Sequence, residues 1–110
     1  MNWKKPQQNI FFVPIPANGQ NLYNLTEYRR NPEAPKQTYT LVDTETQETY
    51  QTEILDYLGP FEAEHISDIF ARLVTDNKNI TGKTLFKLLQ KRSTDFKNVE
   101  KILFYQLSVI

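Results

Sequence analysis

The chain contains no cysteine, a single histidine and no apolar run close to the roughly 20 residues that a membrane-spanning helix requires. Without cysteine there is no disulfide framework and no thiolate chemistry, and nothing argues for an oxidising compartment. His65 has no histidine partner, so a metal site would need Glu62, Glu64 or Asp68, a set uncommon enough that a partly exposed helix histidine is the simpler reading. No metal or cofactor is expected. The segment Thr81-Gly82-Lys83-Thr84 carries the ending of a phosphate-binding loop but lacks its first glycine, since Asn77 occupies that position, and a helix rather than a strand precedes it. It reads as a capped helix start. Met1-Asn2-Trp3-Lys4-Lys5 leads into Pro6, and Ile10 to Val13 is too short for the core of a signal peptide. Together these absences predict a soluble, cytoplasmic protein without a membrane partner. Internal repeats and low-complexity tracts are lacking as well.

What is present fits one globular domain over residues 1–110, with 39% hydrophobic and 13% aromatic residues. The formal net charge is zero, but it is segregated. Residues 1–42 hold five basic and two acidic groups, residues 43–77 one basic and nine acidic, and residues 78–110 seven basic and two acidic. The middle of the chain repels polyanions and both ends attract them.

Residues 1–36 are the least regular. Ile10 to Val13 looks extended, but Pro14 and Pro16 lack ladder donors and force an edge position or an early stop. Asn18-Gly19 signals a turn. Leu22, Leu25 and Tyr28 allow one or two helical turns before Asn31-Pro32 ends them. The regular part covers residues 37–110. Thr38 to Val42 and Tyr50 to Leu55 make an antiparallel hairpin with a polar tip, and Gly59-Pro60 ends its second strand. Ile66, Ile69, Phe70 and Leu73 follow helical spacing and predict a first helix with those residues in the core. That helix stops at Asp76 to Asn79. Thr81 caps a second helix, with Leu85, Leu88 and Leu89 inward. Ile102 to Ile110 closes the chain as a strand too hydrophobic for an exposed edge. The expected fold is α+β: a mostly antiparallel, partly barrel-like sheet with two short helices.

The order strand, polar tip, strand, Leu58-Gly59-Pro60-Phe61, helix, short helix and closing Ile102-Leu103-Phe104-Tyr105-Gln106-Leu107 strand resembles the C-terminal part of ASCH domains, over residues 38–110. These are small PUA-like β-barrels linked to RNA binding and, in one branch, to amidohydrolysis of modified nucleosides. The resemblance implies a PUA-like fold and an RNA partner. The family's N-terminal G-x-K-x-x-T-x-R-type motif has no counterpart before Thr38, where Arg29 to Lys36 share only the charge. That departure argues against the enzymatic branch, and no catalytic residue is assigned.

Lys83, Lys87 and Lys91 recur every four residues and form a row on the second helix away from its leucines, which Arg92 and Lys97 extend. Tyr23 and Tyr28 beside Arg29 and Arg30 offer rings for stacking on unpaired bases. The functional expectation is therefore a non-enzymatic module binding RNA or single-stranded DNA. The alternative is a small accessory or inhibitor protein that holds another protein through Glu45, Glu48, Glu53, Glu62 and Glu64, or through the aromatic N-terminal segment.

Overall fold

A computed structural model describes residues 2–3, 10–33, 35–43, 45–75 and 77–110. Lys4 and Lys5, counted in the basic N-terminal charge, Ala34 in the proline-flanked connection, Thr44 in the hairpin tip and Asp76 at the end of the first predicted helix lie outside the described residues.

The elements are β1 (Asn2–Trp3), β2 (Ile10–Pro16), α1 (Gly19–Arg30), β3 (Thr38–Asp43), β4 (Thr49–Glu62), α2 (Asp68–Thr75), α3 (Gly82–Arg92) and β5 (Lys101–Val109). Short 3₁₀ turns at Ala63–His65 and Thr94–Phe96 lead into α2 and out of α3. The five strands form one sheet in the order β1-β3-β4-β5-β2. All pairings are antiparallel except the brief β1–β3 contact. The sheet curls into a half-barrel, and the fold is α+β as the sequence pattern predicts.

The closing strand β5 is central, between β4 and β2, and explains the two-layer core. Its alternate residues point to opposite faces. Leu103, Tyr105 and Leu107 join Val13, Ile15, Leu25, Leu41, Ile54 and Tyr57 in one cluster, on the face covered by α1. Ile102 and Phe104 join Ile66, Ala71, Ile80, Leu85, Leu89 and Phe96 in a second, on the face covered by α2 and α3. A strand buried on both sides has no polar face to present, which accounts for the unbroken apolar run Ile102-Leu103-Phe104-Tyr105.

Four expectations need correction. Among the described residues three helices are present instead of two, because Asn18-Gly19 is a helix start and not a turn: the Asn18 side chain accepts from the Asn21 amide at 3.2 Å, and Leu25 anchors the helix on the sheet. Gly59-Pro60 does not end β4, which runs on to Glu62. The ladder shifts register between Leu58 and Phe61, and this bulge accommodates a proline that has no amide to donate. Gly59 sits there at φ 113°, a conformation that other residues reach only with strain.

The third correction concerns the phase of α2. Ile66 lies before the helix in extended conformation, and the buried side of α2 carries Ala71, with Phe70 and Val74 packed beside it. Ile69 and Leu73 are 80% and 63% exposed. Counting Ile66 into the helix rotates the apparent apolar stripe by one position. The fourth concerns α3, where Leu85 and Leu89 are buried but Leu88 remains 37% exposed.

Candidate nucleic-acid interface and interior cleft

Thr81 starts α3 by accepting from the Thr84 amide at 3.1 Å. Gly82 then docks directly on the start of α2: its amide donates to Asp68 Oδ1 at 2.8 Å, and a Cβ there would overlap the Ile66 carbonyl. The G-K-T resemblance to a phosphate loop thus has a packing explanation. Gly82 is required for close approach, and its amide is already engaged.

At roughly 100° per residue, Lys83, Lys87 and Lys91 fall on the side of α3 opposite Gly82, Leu85 and Leu89. All three are exposed, and among the described residues none is within ion-pairing distance of a carboxylate. They climb the helix in steps of about 6 Å. Arg92 lies about 140° round the helix from Lys87, so it leaves this row and is exposed on another side of the helix end. Lys97 is exposed just beyond the Thr94–Phe96 turn.

The α1 residues are placed elsewhere. Leu25 packs α1 on the Tyr105 face of β5, whereas Leu85 and Leu89 pack α3 on the Phe104 face. Arg29 and Arg30 therefore do not join the α3 row. Arg29 Nη2 donates to the Gly59 carbonyl at 2.8 Å, and Tyr28 is tilted against Tyr57 with ring centroids 5.2 Å apart. Lys36 Nζ sits 5.1 Å from the centre of the Tyr28 ring, so that ring is already occupied. Tyr23 is 63% exposed.

The acidic residues are dispersed. In the hairpin tip, Asp43 Oδ1 accepts from the Glu45 amide at 2.8 Å, and Glu48 accepts from the Tyr50 hydroxyl at 2.6 Å. The Glu48 bond, with the neighbouring negative charge, pushes the Tyr50 phenol up to about 12. Glu53 pairs in register with Thr38 and Ser108 inside the sheet. Glu62 meets Lys101 at 4.0 Å, and together with Glu64 and His65 it borders a shallow cleft of about 490 Å³. Among the described residues, no group of three or more His, Cys, Asp or Glu side chains is arranged to hold a metal ion, and no helix is long and apolar enough to cross a membrane.

A cleft of about 630 Å³ opens on the α1 face of the half-barrel, where the mouth of the sheet meets α1 and the Thr94–Phe96 turn. Apolar walls come from Ile15, Ile54 and Phe96. Its polar groups and their partners form two hydrogen-bonded sets. Tyr105 donates to Asn21 Oδ1 at 2.9 Å, while Asn21 Nδ2 donates to the Pro16 carbonyl at 2.7 Å. The Tyr57 hydroxyl donates to Gln37 Oε1 at 3.2 Å, and Gln37 Nε2 reaches Asn24 Oδ1 at 3.4 Å. Burial, then Tyr57 and Tyr39, raise the Tyr105 phenol well above the ordinary tyrosine range. Burial and the nearby Asp95 carboxylate raise Tyr39. Among the described residues, neither the Tyr39 hydroxyl nor the Asp95 carboxylate has a hydrogen-bond partner.

None of Gln37, Tyr39, Asp95 and Tyr105 was suggested as a site by sequence patterning. Tyr39 and Tyr105 read as strand residues, and Gln37 and Asp95 belong to no motif. The signal that marks them is chemical: the inward rings on this face carry hydroxyls, where plain hydrocarbon would fill the space as well.

Comparison of the chain with protein-family models, with curated proteins and with solved structures finds no match to any of them.

Proposed function

We propose that this α+β half-barrel binds single-stranded nucleic acid, with Lys83, Lys87 and Lys91 of α3 tracking the phosphate backbone. The observation that carries this reading is the row itself: three exposed lysines on one line, opposite the buried side of α3, and unpaired among the described residues. Cations already held by carboxylates release few counterions on binding, whereas free ones contribute fully. The orientation of α1 narrows the interface expected from sequence. Arg29 and Tyr28 are engaged within the fold, and Arg92 leaves the row, so the contact reduces to the lysines with Lys97 beyond them.

The test is binding of a fluorescently labelled short RNA across a salt series. Affinity should fall steeply with salt for the wild type. Changing Lys83, Lys87 and Lys91 together to glutamine should reduce the magnitude of the log–log slope by about 2, at roughly 0.7 per single-strand phosphate contact. Glutamine preserves helix propensity, so charge is the variable. Absence of binding at low salt would sink this reading.

A second reading has its own observation in support. Ile69 and Leu73, one turn apart on the outer side of α2, are 80% and 63% exposed, and the exposed Glu64 and Asp68 precede them in sequence. An exposed apolar pair with acidic residues on its N-terminal side suits a protein partner with a basic surface. Loss of partner capture in an Ile69→Ser/Leu73→Ser variant that keeps its melting temperature would support it.

A further inference from the structure

We propose, as a deepening that rests on the nucleic-acid reading above, that the cleft between α1, β3 and the Thr94–Phe96 turn receives one unpaired base of the bound strand, and that Asp95 makes it select bases carrying an exocyclic amino group.

The charge distribution separates backbone from base. The residues lining the cleft include no lysine or arginine, so nothing within it favours a phosphate. Cations stand instead on either side of the rim in sequence: Lys91 and Arg92 precede the Thr94–Phe96 turn and Lys97 follows it. Four residues of chain link Lys91 to Asp95, at most about 15 Å even when extended. A strand whose phosphates follow the α3 row therefore passes, within a nucleotide or two, the mouth of a cleft that holds no cation.

The lining suits a flat heterocycle with a polar edge. Ile15, Ile54 and Phe96 supply apolar contact, and Tyr39 and Tyr105 meet edge to face with centroids 5.8 Å apart. Asn21 and Gln37 are held in place by hydrogen bonds from Tyr105 and Tyr57, so the walls are ordered before a ligand arrives. Tyr39 and Asp95 remain without partners among the described residues, and they are near enough for the Asp95 charge to act on the phenol. They do not bond to each other; together they present one donor and one acceptor. Cytosine and adenine offer the complement on adjacent positions, an amino group for the carboxylate and a ring nitrogen for the phenol. Uracil in the same pose presents a carbonyl where those bases carry the amino group, and a carboxylate repels it. Selection among bases follows from that one difference.

The experiment titrates the ¹⁵N-labelled full chain with cytidine and with uridine, both uncharged, and follows the side-chain amides of Asn24 and Gln37 and the Asp95 backbone amide. Cytidine should shift these signals saturably and bind roughly tenfold more tightly than uridine, toward the lower end of what one base-edge pairing discriminates because Asp95 is exposed. Asp95→Asn, whose amide both donates and accepts, should bring the ratio near one. Tyr39→Phe should weaken cytidine binding severalfold, and both variants keep the buried side chains intact. The Lys83→Gln/Lys87→Gln/Lys91→Gln variant should bind cytidine like the wild type. Equal affinity for the two nucleosides, no saturable shift at the cleft, or an Asp95→Asn ratio equal to wild type would each overturn the proposal. Separate titrations with short cytidine and uridine oligonucleotides distinguish the two readings. Salt-sensitive binding of both without discrimination defeats the cleft and leaves the lysine row standing. Nucleoside selection without any added affinity for oligonucleotides defeats the row and leaves base selection supported.

Discussion

The two faces of the sheet are built from the same strands but different rings. On the α1 face lie Tyr28, Tyr57 and Tyr105, in contact at 5.1–5.2 Å, with Tyr39 against Tyr105. On the α2–α3 face lie Phe61, Phe70 and Phe104, with centroids 4.4–6.0 Å apart. Phe104 and Tyr105 are neighbours on β5 and divide between the faces by the strand's own alternation. The phenylalanine face closes on itself and needs only volume. The tyrosine face must also place hydroxyls: Tyr105 donates to Asn21 of α1 and Tyr57 to Gln37, which leaves a polar cleft where the other side has an apolar core. An apolar core and a polar cleft thereby lie on opposite sides of one sheet.

The largest expected effect is on the phenylalanine side. Phe104 is 1% exposed and touches both Phe61 and Phe70, so Phe104→Ala should cost about 3–5 kcal/mol, a large fraction of the stability of a small domain. Chemical denaturation measures it directly. A cost below about 1 kcal/mol would mean that this face is not the principal core.

Tyr105→Phe should be milder, near 1 kcal/mol, because the ring stays and only the bond to Asn21 is lost. It also sharpens the contrast through pH. Tyr105, Tyr57 and Tyr39 all have phenols raised above 10.0, chiefly by burial. The folded state therefore holds these protons when the unfolded chain begins to release them. Their contribution is fully present below the unfolded value of 10.0 and is lost as pH rises through the higher folded values. Denaturation midpoints should fall on the alkaline side of that value, and Tyr105→Phe should flatten the fall. A midpoint independent of alkaline pH would contradict the buried tyrosine network.

Much of the fold was legible in the sequence, and what was missed has physical causes. The period of two in Thr38 to Leu55 and the apolar closing run specified the sheet and its central strand, because burial on one or both faces leaves a direct mark on composition. The lysine row was legible for the same reason, since four-residue spacing fixes a helix side. Helix α1 was underestimated because Asn18-Gly19 is compatible with both a turn and a cap, and only the packing of Leu25 decides between them. The cleft was invisible because it is assembled from β3, α1 and the turn after α3, residues far apart in sequence whose polar atoms meet only once the sheet curls.

The smallest expected effect tests the α2 side itself. The spacing of Ile66, Ile69, Phe70 and Leu73 makes Leu73 look like core, yet it is 63% exposed while Ala71, two residues earlier, is fully buried. Truncation at an exposed site removes little surface from contact and leaves no cavity, so Leu73→Ala should change stability by less than about 0.5 kcal/mol. Adding bulk at Ala71 should do the reverse. Ala71 packs in the cluster of Ile66, Leu85 and Phe104, and Ala71→Leu forces side chains apart at a cost of roughly 1–3 kcal/mol. The order of the two matters more than either value. Should Leu73→Ala prove the more damaging, α2 would be rotated by one position from the orientation described, with Leu73 on the phenylalanine core and Ala71 facing solvent. The exposed apolar pair that favours a protein partner would then vanish with it.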